Sequence, residues 1–149
     1  SKNYQEMVQK YRLLHEHIAN QRRDFIHKES RRIANAWDAV CMRDDHMEDL
    51  GKAVSLANAR DWGYGMFREC LRYKLEREGK RLILIDRYVP STRTCSVCGF
   101  LREAVHYKER TWACPKCGAV HKRETNAAKN IKAQGLRQYF SMQERRESA

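Results

Sequence analysis

Four of the six cysteines in this chain form two Cys-x-x-Cys pairs, Cys95/Cys98 and Cys114/Cys117, with fifteen residues between the pairs. Four thiolates at this spacing are the ligand set of a zinc ribbon, in which each short turn grips one edge of the ion and the intervening hairpin brings the turns together. Cys98 is followed by Gly99 and Cys117 by Gly118, where the chain must turn tightly. Two Cys-x-x-Cys disulfides or unrelated cysteines are the competing reading, but paired turns of this kind rarely arise otherwise. Four protein ligands leave no open coordination position, so the zinc is expected to be structural.

Other residues with chemical potential lie close by. His121, four residues beyond Cys117, could substitute as a zinc ligand. With four cysteines available, a local hydrogen bond or a phosphate contact suits it better. Trp112 could stack on a base, although a ribbon with so little core of its own has more need of it as packing. Lys108, Arg110, Lys116, Lys122 and Arg123 cluster around the cysteines and are candidates for phosphate contact as a group. Each alone could be an ordinary solvated charge. His15, His17 and His27 have no evident carboxylate partner, and no acid–base role is assigned to them.

These groups need elements to position them. From Tyr4 to Asn35 the apolar residues Val8, Tyr11, Leu14, Ile18, Phe25 and Ile33, continuing to Trp37, recur at helical spacing without Gly or Pro, which predicts one long amphipathic helix. Ala39–Met42 reads as a short buried strand, left through the charged Arg43-Asp44-Asp45-His46. Residues 47–60 are ambiguous and partly helical at most. A helix is expected from Trp62 or Gly65 to Glu78, with Gly79 just past its end. Arg81–Asp86 is the strongest strand, a continuous apolar run suited to burial on both faces. Leu101–Tyr107 and Thr111–Ala113 are expected as short antiparallel strands of the ribbon, and Thr125–Leu136 as a helix. Cys41 and Cys70 read as small core residues, and Trp37 and Trp62 as core anchors. The expected divisions are 1–90, a ribbon at 91–121, a last helix at 122–140 and a frayed tail at 141–149.

A helix, a buried strand, a helix and another buried strand, then a ribbon and a helix, describe an incomplete α/β domain, since two strands cannot bury two helices and form a stable sheet alone. A partner chain or a further region of sequence is expected to complete it. The 149 residues carry a net charge of +11, unevenly distributed. Residues 1–50 hold nine basic and nine acidic side chains, residues 51–100 ten and five, and residues 101–149 eleven and five. Cationic excess around a ribbon favours a polyanion, most simply nucleic acid, over a merely solvated basic surface. No apolar run approaches the length of a membrane span, and reduced thiols suit a cytoplasmic protein.

Three segments carry a resemblance. Asn20–Ser30 resembles the long helix of TnpB proteins, the OrfB-type, transposon-encoded relatives of type V CRISPR effectors. Asp86–Cys95 resembles their approach to the ribbon, and His121-Lys122-Arg123-Glu124-Thr125-Asn126-Ala127-Ala128-Lys129-Asn130-Ile131 the segment after it. The resemblance covers roughly residues 10 to 137. It implies part of an RNase H-like RuvC domain with an inserted zinc ribbon, in proteins that use guide RNA to target DNA. It also implies a site where three carboxylates hold two Mg²⁺ ions.

The departures from that pattern shape the functional expectation. The family's first catalytic Asp lies on a strand before the long helix, and no such strand is found here. Its second carboxylate, a Glu leaving the strand equivalent to Ala39–Met42, aligns best with Arg43, followed by Asp44. A second register puts Glu48-Asp49-Leu50 there. Its third, an Asp, corresponds to Glu124, whose extra methylene shifts the oxygens by about 1 Å. Glu124 reads equally well as a helix N-terminal acid that favours the macrodipole. The leading expectation is a nucleic-acid-binding RuvC remnant with a structural zinc ribbon, unable to cleave alone. An active Mg²⁺-dependent endonuclease completed by other sequence is the alternative, with Mg²⁺ bound only in that completed site. A zinc-stabilised protein-interaction module is the third reading.

Overall fold

The computed structural model describes residues 2–45, 63–106 and 108–147. Glu48, Trp62, the ambiguous stretch 47–60 and Tyr107 lie outside them. The described residues fall into two compact units.

The first unit is a pair of helices. Helix α1 spans Lys2–Ala36 and helix α2 spans Tyr64–Arg77, close to the expected limits. The buried stripe on α1 is Ile26, Ser30 and Ala34, which packs with α2 around Cys70, Leu71, Lys74 and Leu75. This is not the face the large apolar residues predict. Tyr11, Leu14, Ile18 and Phe25 are exposed, and so is Trp37, at 62%. Small residues four apart let two helix backbones approach closely, so Ser30 and Ala34 choose the contact over bulkier neighbours. Lys74 is almost fully buried there. Its Nζ donates to the His27 carbonyl at 2.6 Å and to Ser30 Oγ at 2.7 Å. Glu78, just after α2, pairs with Arg31 at 2.6 Å and with Lys80 at 3.1 Å.

In the second unit, strand β1 covers Ala39–Arg43 and pairs with β2, Arg81–Ile85, of which only Arg81 falls in the first unit, to form a two-stranded sheet. The Arg81 N–H donates to the Asp38 carbonyl and the Asp44 N–H to the Ile85 carbonyl, so the strands run in the same direction. Ile83 and Ile85 are buried, but Leu84 is 38% exposed. The apolar run is therefore fully buried on one face only, with Leu82 half-buried beside the exposed Leu84, in contrast to the expected burial on both.

In the second unit, β3 (Thr111–Ala113) pairs antiparallel with β4 (Val120–Lys122), with Trp112 opposite His121. Among the described residues of the strand expected at Leu101–Tyr107, the pairing is a single bridge between Thr94 and Leu101. Beyond that bridge, residues 102–106 are mostly polar and lack the alternation that holds a ladder, and β3 takes its partner from across the second cysteine turn instead. Helix α3 follows at once, over Arg123–Glu147, and so includes most of the stretch expected to fray. It packs on β1 at Gly135, where an added Cβ would stand 2.8 Å from Cys41 Cβ and nearer still to its Sγ. A glycine inside a helix is unfavourable by about 1 kcal/mol relative to alanine, and close approach to β1 accounts for it here.

Candidate metal centre and nucleic-acid interface

The two cysteine turns repeat one backbone pattern. The Cys95 N–H donates to the Phe100 carbonyl and the Gly99 N–H to the Cys95 carbonyl; Cys114 to Ala119 and Gly118 to Cys114 do the same. Gly99 and Gly118 have φ of 74° and 72°, where a Cβ would be strained. Each turn thus aims both of its thiols inward.

The sulfur atoms of Cys95, Cys98, Cys114 and Cys117 all lie within 4.8 Å of one another. Cys95 and Cys117 are 3.7 Å apart, Cys98 and Cys114 3.6 Å. Ligands about 2.3 Å from a tetrahedral Zn²⁺ would have S···S edges of about 3.8 Å. A soft four-sulfur set at this separation could hold a metal such as zinc, and the residues fit it without rearrangement.

The thiols also show what four sulfurs in one space must do. Burial pushes the Cys114 thiol up, but the N–H donors of Cys117 and Lys116 outweigh it and hold it at about 7. Cys117 is drawn down by the Ala119 N–H, yet burial and its hydrogen bonds to Cys98, Cys114 and Cys95 push it up to about 12. For Cys95, burial acts upward and the N–H groups of Cys98 and Val97, with His121, carry it below the ordinary value. One divalent cation would relieve this competition for protons by replacing them.

Trp112 is 3% exposed and packs with Cys95, Cys114, Cys98 and Phe100, as the packing reading of that residue expects. His121 is buried at 6%, and its Nε2 lies 3.1 Å from Cys95 Sγ. The β3–β4 pair alternates, with Trp112 and His121 inward and Thr111, Ala113, Val120 and Lys122 outward. Lys108, Arg110, Lys116 and Lys122 are exposed. Arg123 sits beside Arg110, its N–H on the Arg110 carbonyl at 2.8 Å, and is half-buried.

Two asparagines escape the sequence reading although their segment is conspicuous. Asn126 is 1% exposed. Its Oδ1 accepts the Ser96 N–H and its Nδ2 donates to the carbonyls of Ser91 and Thr94. Asn130, one turn later, donates to the same two carbonyls at 2.8 and 2.7 Å. Two asparagines four apart near the start of a helix, poor helix formers both, are the signal that could have revealed them.

The acidic positions are differently placed. Glu124 lies in the first turn of α3, exposed, 2.8 Å from the Arg123 guanidinium. Its own N–H, then Arg123, hold its carboxyl below the usual range. Arg43 ends β1 with its Nε on Asp45 Oδ1 at 2.7 Å. Asp86 accepts the Tyr88 N–H at 2.8 Å. Among the described residues, the four cysteines are the one group of three or more His, Cys, Asp or Glu side chains close enough to share an ion. The described acidic residues do not assemble a Mg²⁺ site.

Among the described residues, no helix is long and apolar enough to cross a membrane. Residues 64–131 match the family model of the Cas12f1-like TNB domain. A putative RNA-guided DNA endonuclease from Streptomyces pristinaespiralis is 38% identical over 137 residues, covering 91% of this chain and 34% of the relative. The CRISPR-associated endodeoxyribonuclease Cas12f1 of Sulfoacidibacillus thermotolerans is 30% identical over 120 residues, 79% of this chain and 28% of the relative. A TnpB-like protein of Acanthamoeba polyphaga mimivirus is 25% identical over 147 residues, 94% of this chain and 28% of the relative. The chain spans about a third of the length of these curated relatives. A solved Cas12f1–sgRNA–target DNA complex contains a chain of like fold, with a TM-score of 0.61 at 23% identity over 86% of this chain and 40% of that one. The paired cysteine turns, the segments that flank them and these matches together make the chain similar to the TnpB-type, Cas12f1-like RNA-guided DNA endonucleases over part of their length.

Proposed function

We propose that this chain is the nucleic-acid-binding, C-terminal part of a TnpB-like RNA-guided DNA-targeting protein, a partial RNase H-like (RuvC) fold that cannot cleave DNA by itself. Cys95, Cys98, Cys114 and Cys117 hold one structural zinc, which fixes the ribbon at 91–121. The exposed cations Lys108, Arg110, Lys116 and Lys122, with Arg123 beside them, meet phosphate oxygens of guide RNA or DNA. The fold of the matched Cas12f1 chain and the basic rim of the cysteine hairpin support this reading.

The observation that carries the lack of cleavage is the state of the acidic positions. Arg43 is a cation already paired with Asp45, and Glu124 is a lengthened acid paired with Arg123. A guanidinium stays protonated and repels the cations such a site needs. Sequence outside this span, or a partner chain, would complete the sheet.

Purified, zinc-loaded protein should shift RNA and DNA in gels at low salt, and the log of the affinity should fall linearly with the log of salt concentration. With Mg²⁺ added, neither nucleic acid should be nicked. Absence of binding at low salt would sink the proposal. The names of the relatives favour a second reading, an active endonuclease completed by other sequence. Mg²⁺-dependent nicking that is lost in Glu124→Ala, and in Glu48→Ala but not Arg43→Ala, would establish it and fix the second register.

A further inference from the structure

We propose that the Nε2–H of His121 donates a hydrogen bond to the metal-bound thiolate of Cys95, which makes His121 the positioning residue for this one ligand. The proposal rests on the reading of the cysteines as a zinc site. His121 Nε2 stands 3.1 Å from Cys95 Sγ, short for a contact between nitrogen and sulfur. The ring is held there from both sides of its chemistry. Its strand position opposite Trp112 points it inward, and the Trp112 ring packs on it at 4.7 Å between centroids.

A thiolate on a metal has no proton and can only accept, so the hydrogen in this contact belongs to the imidazole, in its Nε2–H tautomer. His121 is not itself a ligand, because four sulfurs already close a tetrahedron.

The contact breaks the symmetry of the two turns. Cys95 receives N–H donors from Val97 and Cys98, and Cys114 receives them equivalently from Lys116 and Cys117. His121 adds a side-chain donor to Cys95. Each donor withdraws electron density from sulfur, orients the ligand and makes it a poorer nucleophile. Cys95, buried and bonded three times, is therefore the protected ligand. Cys117, the exposed member of the set, is the one that electrophiles reach first.

The test compares the full chain with His121→Gln, which keeps an N–H donor, and His121→Phe, which keeps a ring against Trp112 without one. His121→Met is a second donor-free variant should the phenylalanine fold poorly. Each is loaded with Co²⁺ for spectroscopy and with Zn²⁺ for alkylation by iodoacetamide, read at each cysteine by mass spectrometry. All should give the visible bands of four-sulfur tetrahedral Co²⁺. In the donor-free variants the sulfur-to-metal charge-transfer band should move to lower energy, zinc affinity should fall about 10-fold, and Cys95 should be alkylated faster. Gln should restore all three towards wild type.

Visible bands that shift with the ligand field would make His121 a ligand and overturn the proposal. So would equal effects of Gln and Phe, or none from Phe or Met. If the wild-type chain gives no four-sulfur Co²⁺ spectrum, the zinc reading itself fails and the proposal falls with it. That outcome is distinct from a wild type that loads and donor-free variants that match it.

Discussion

Asn126 Oδ1 accepts the backbone N–H of Ser96 at 2.9 Å, inside the first Cys-x-x-Cys turn. The start of α3 is thus hydrogen-bonded directly to the turn that carries Cys95 and Cys98. With the amide donating to Ser91 and Thr94 as well, one side chain satisfies three backbone groups. Asn126→Ala would leave those groups short of partners at a cost of about 1–3 kcal/mol. Thermal unfolding of the zinc-loaded protein should show the loss, and Co²⁺ competition should show weaker metal binding. Asn130→Ala should cost less, since Asn126 still reaches the same carbonyls. Equal effects of the two would contradict the division of labour drawn from the geometry.

Metal removal should act on one unit and spare the other. The cysteine hairpin has a core of little more than Cys95, Trp112 and Cys114, so its folding free energy must come largely from metal binding. The α1–α2 pair has its own packing through Leu71 and Leu75. After chelation, amide hydrogen exchange should accelerate across 93–122 and remain slow at 26–34 and 70–75. Uniform acceleration would show that the two units do not unfold separately.

Glu78 ties the end of α2 to α1, and its contribution should depend on pH with a definite sign. The hydrogen bond from Lys80, then the charges of Lys80 and Arg31, hold its carboxyl below the ordinary 4.5. The folded state therefore releases this proton more readily than the unfolded state. The stabilisation is fully present above 4.5 and is lost as pH falls through the depressed value. Glu78→Gln should be less stable than wild type in denaturant melts at neutral pH, by a small margin that salt reduces further. At acid pH the two proteins should converge.

Gly135→Ala should destabilise the protein, although alanine is the better helix former. The new methyl meets Cys41, and overpacking of this kind costs about 1–3 kcal/mol. Removing the sulfur in Gly135→Ala/Cys41→Ala should recover part of the loss, which a double-mutant cycle measures as coupling. Additive effects would place the strain elsewhere.

The hairpin was legible in the sequence because chemistry fixes both its residues and their spacing. Cys95, Cys98, Cys114 and Cys117 had to converge if they bound one ion, and Gly99 and Gly118 mark where the chain turns. Helix α1 followed from periodicity and the absence of Gly and Pro, and α2 from its apolar face and Gly79 just past its end. The contact face of α1 did not, because hydrophobicity pointed to Tyr11, Leu14 and Ile18 while close approach selected Ser30 and Ala34. Tertiary fit overrode the pattern. Trp37 misled for the same reason, since a large ring at an element end predicts burial only if something arrives to cover it. Asn126 and Asn130 were invisible because their partners are backbone carbonyls, and those carry no signature in a list of side chains.

The ion pair between Arg43 and Asp45 bears on how such a chain could change over time. An acid in place of Arg43 would set two carboxylates against each other where a cation now balances one. That single step would be unfavourable before any metal arrived to reward it. A change at Asp45 in the same chain would remove the repulsion, so the two positions are tied to each other at the end of the first strand.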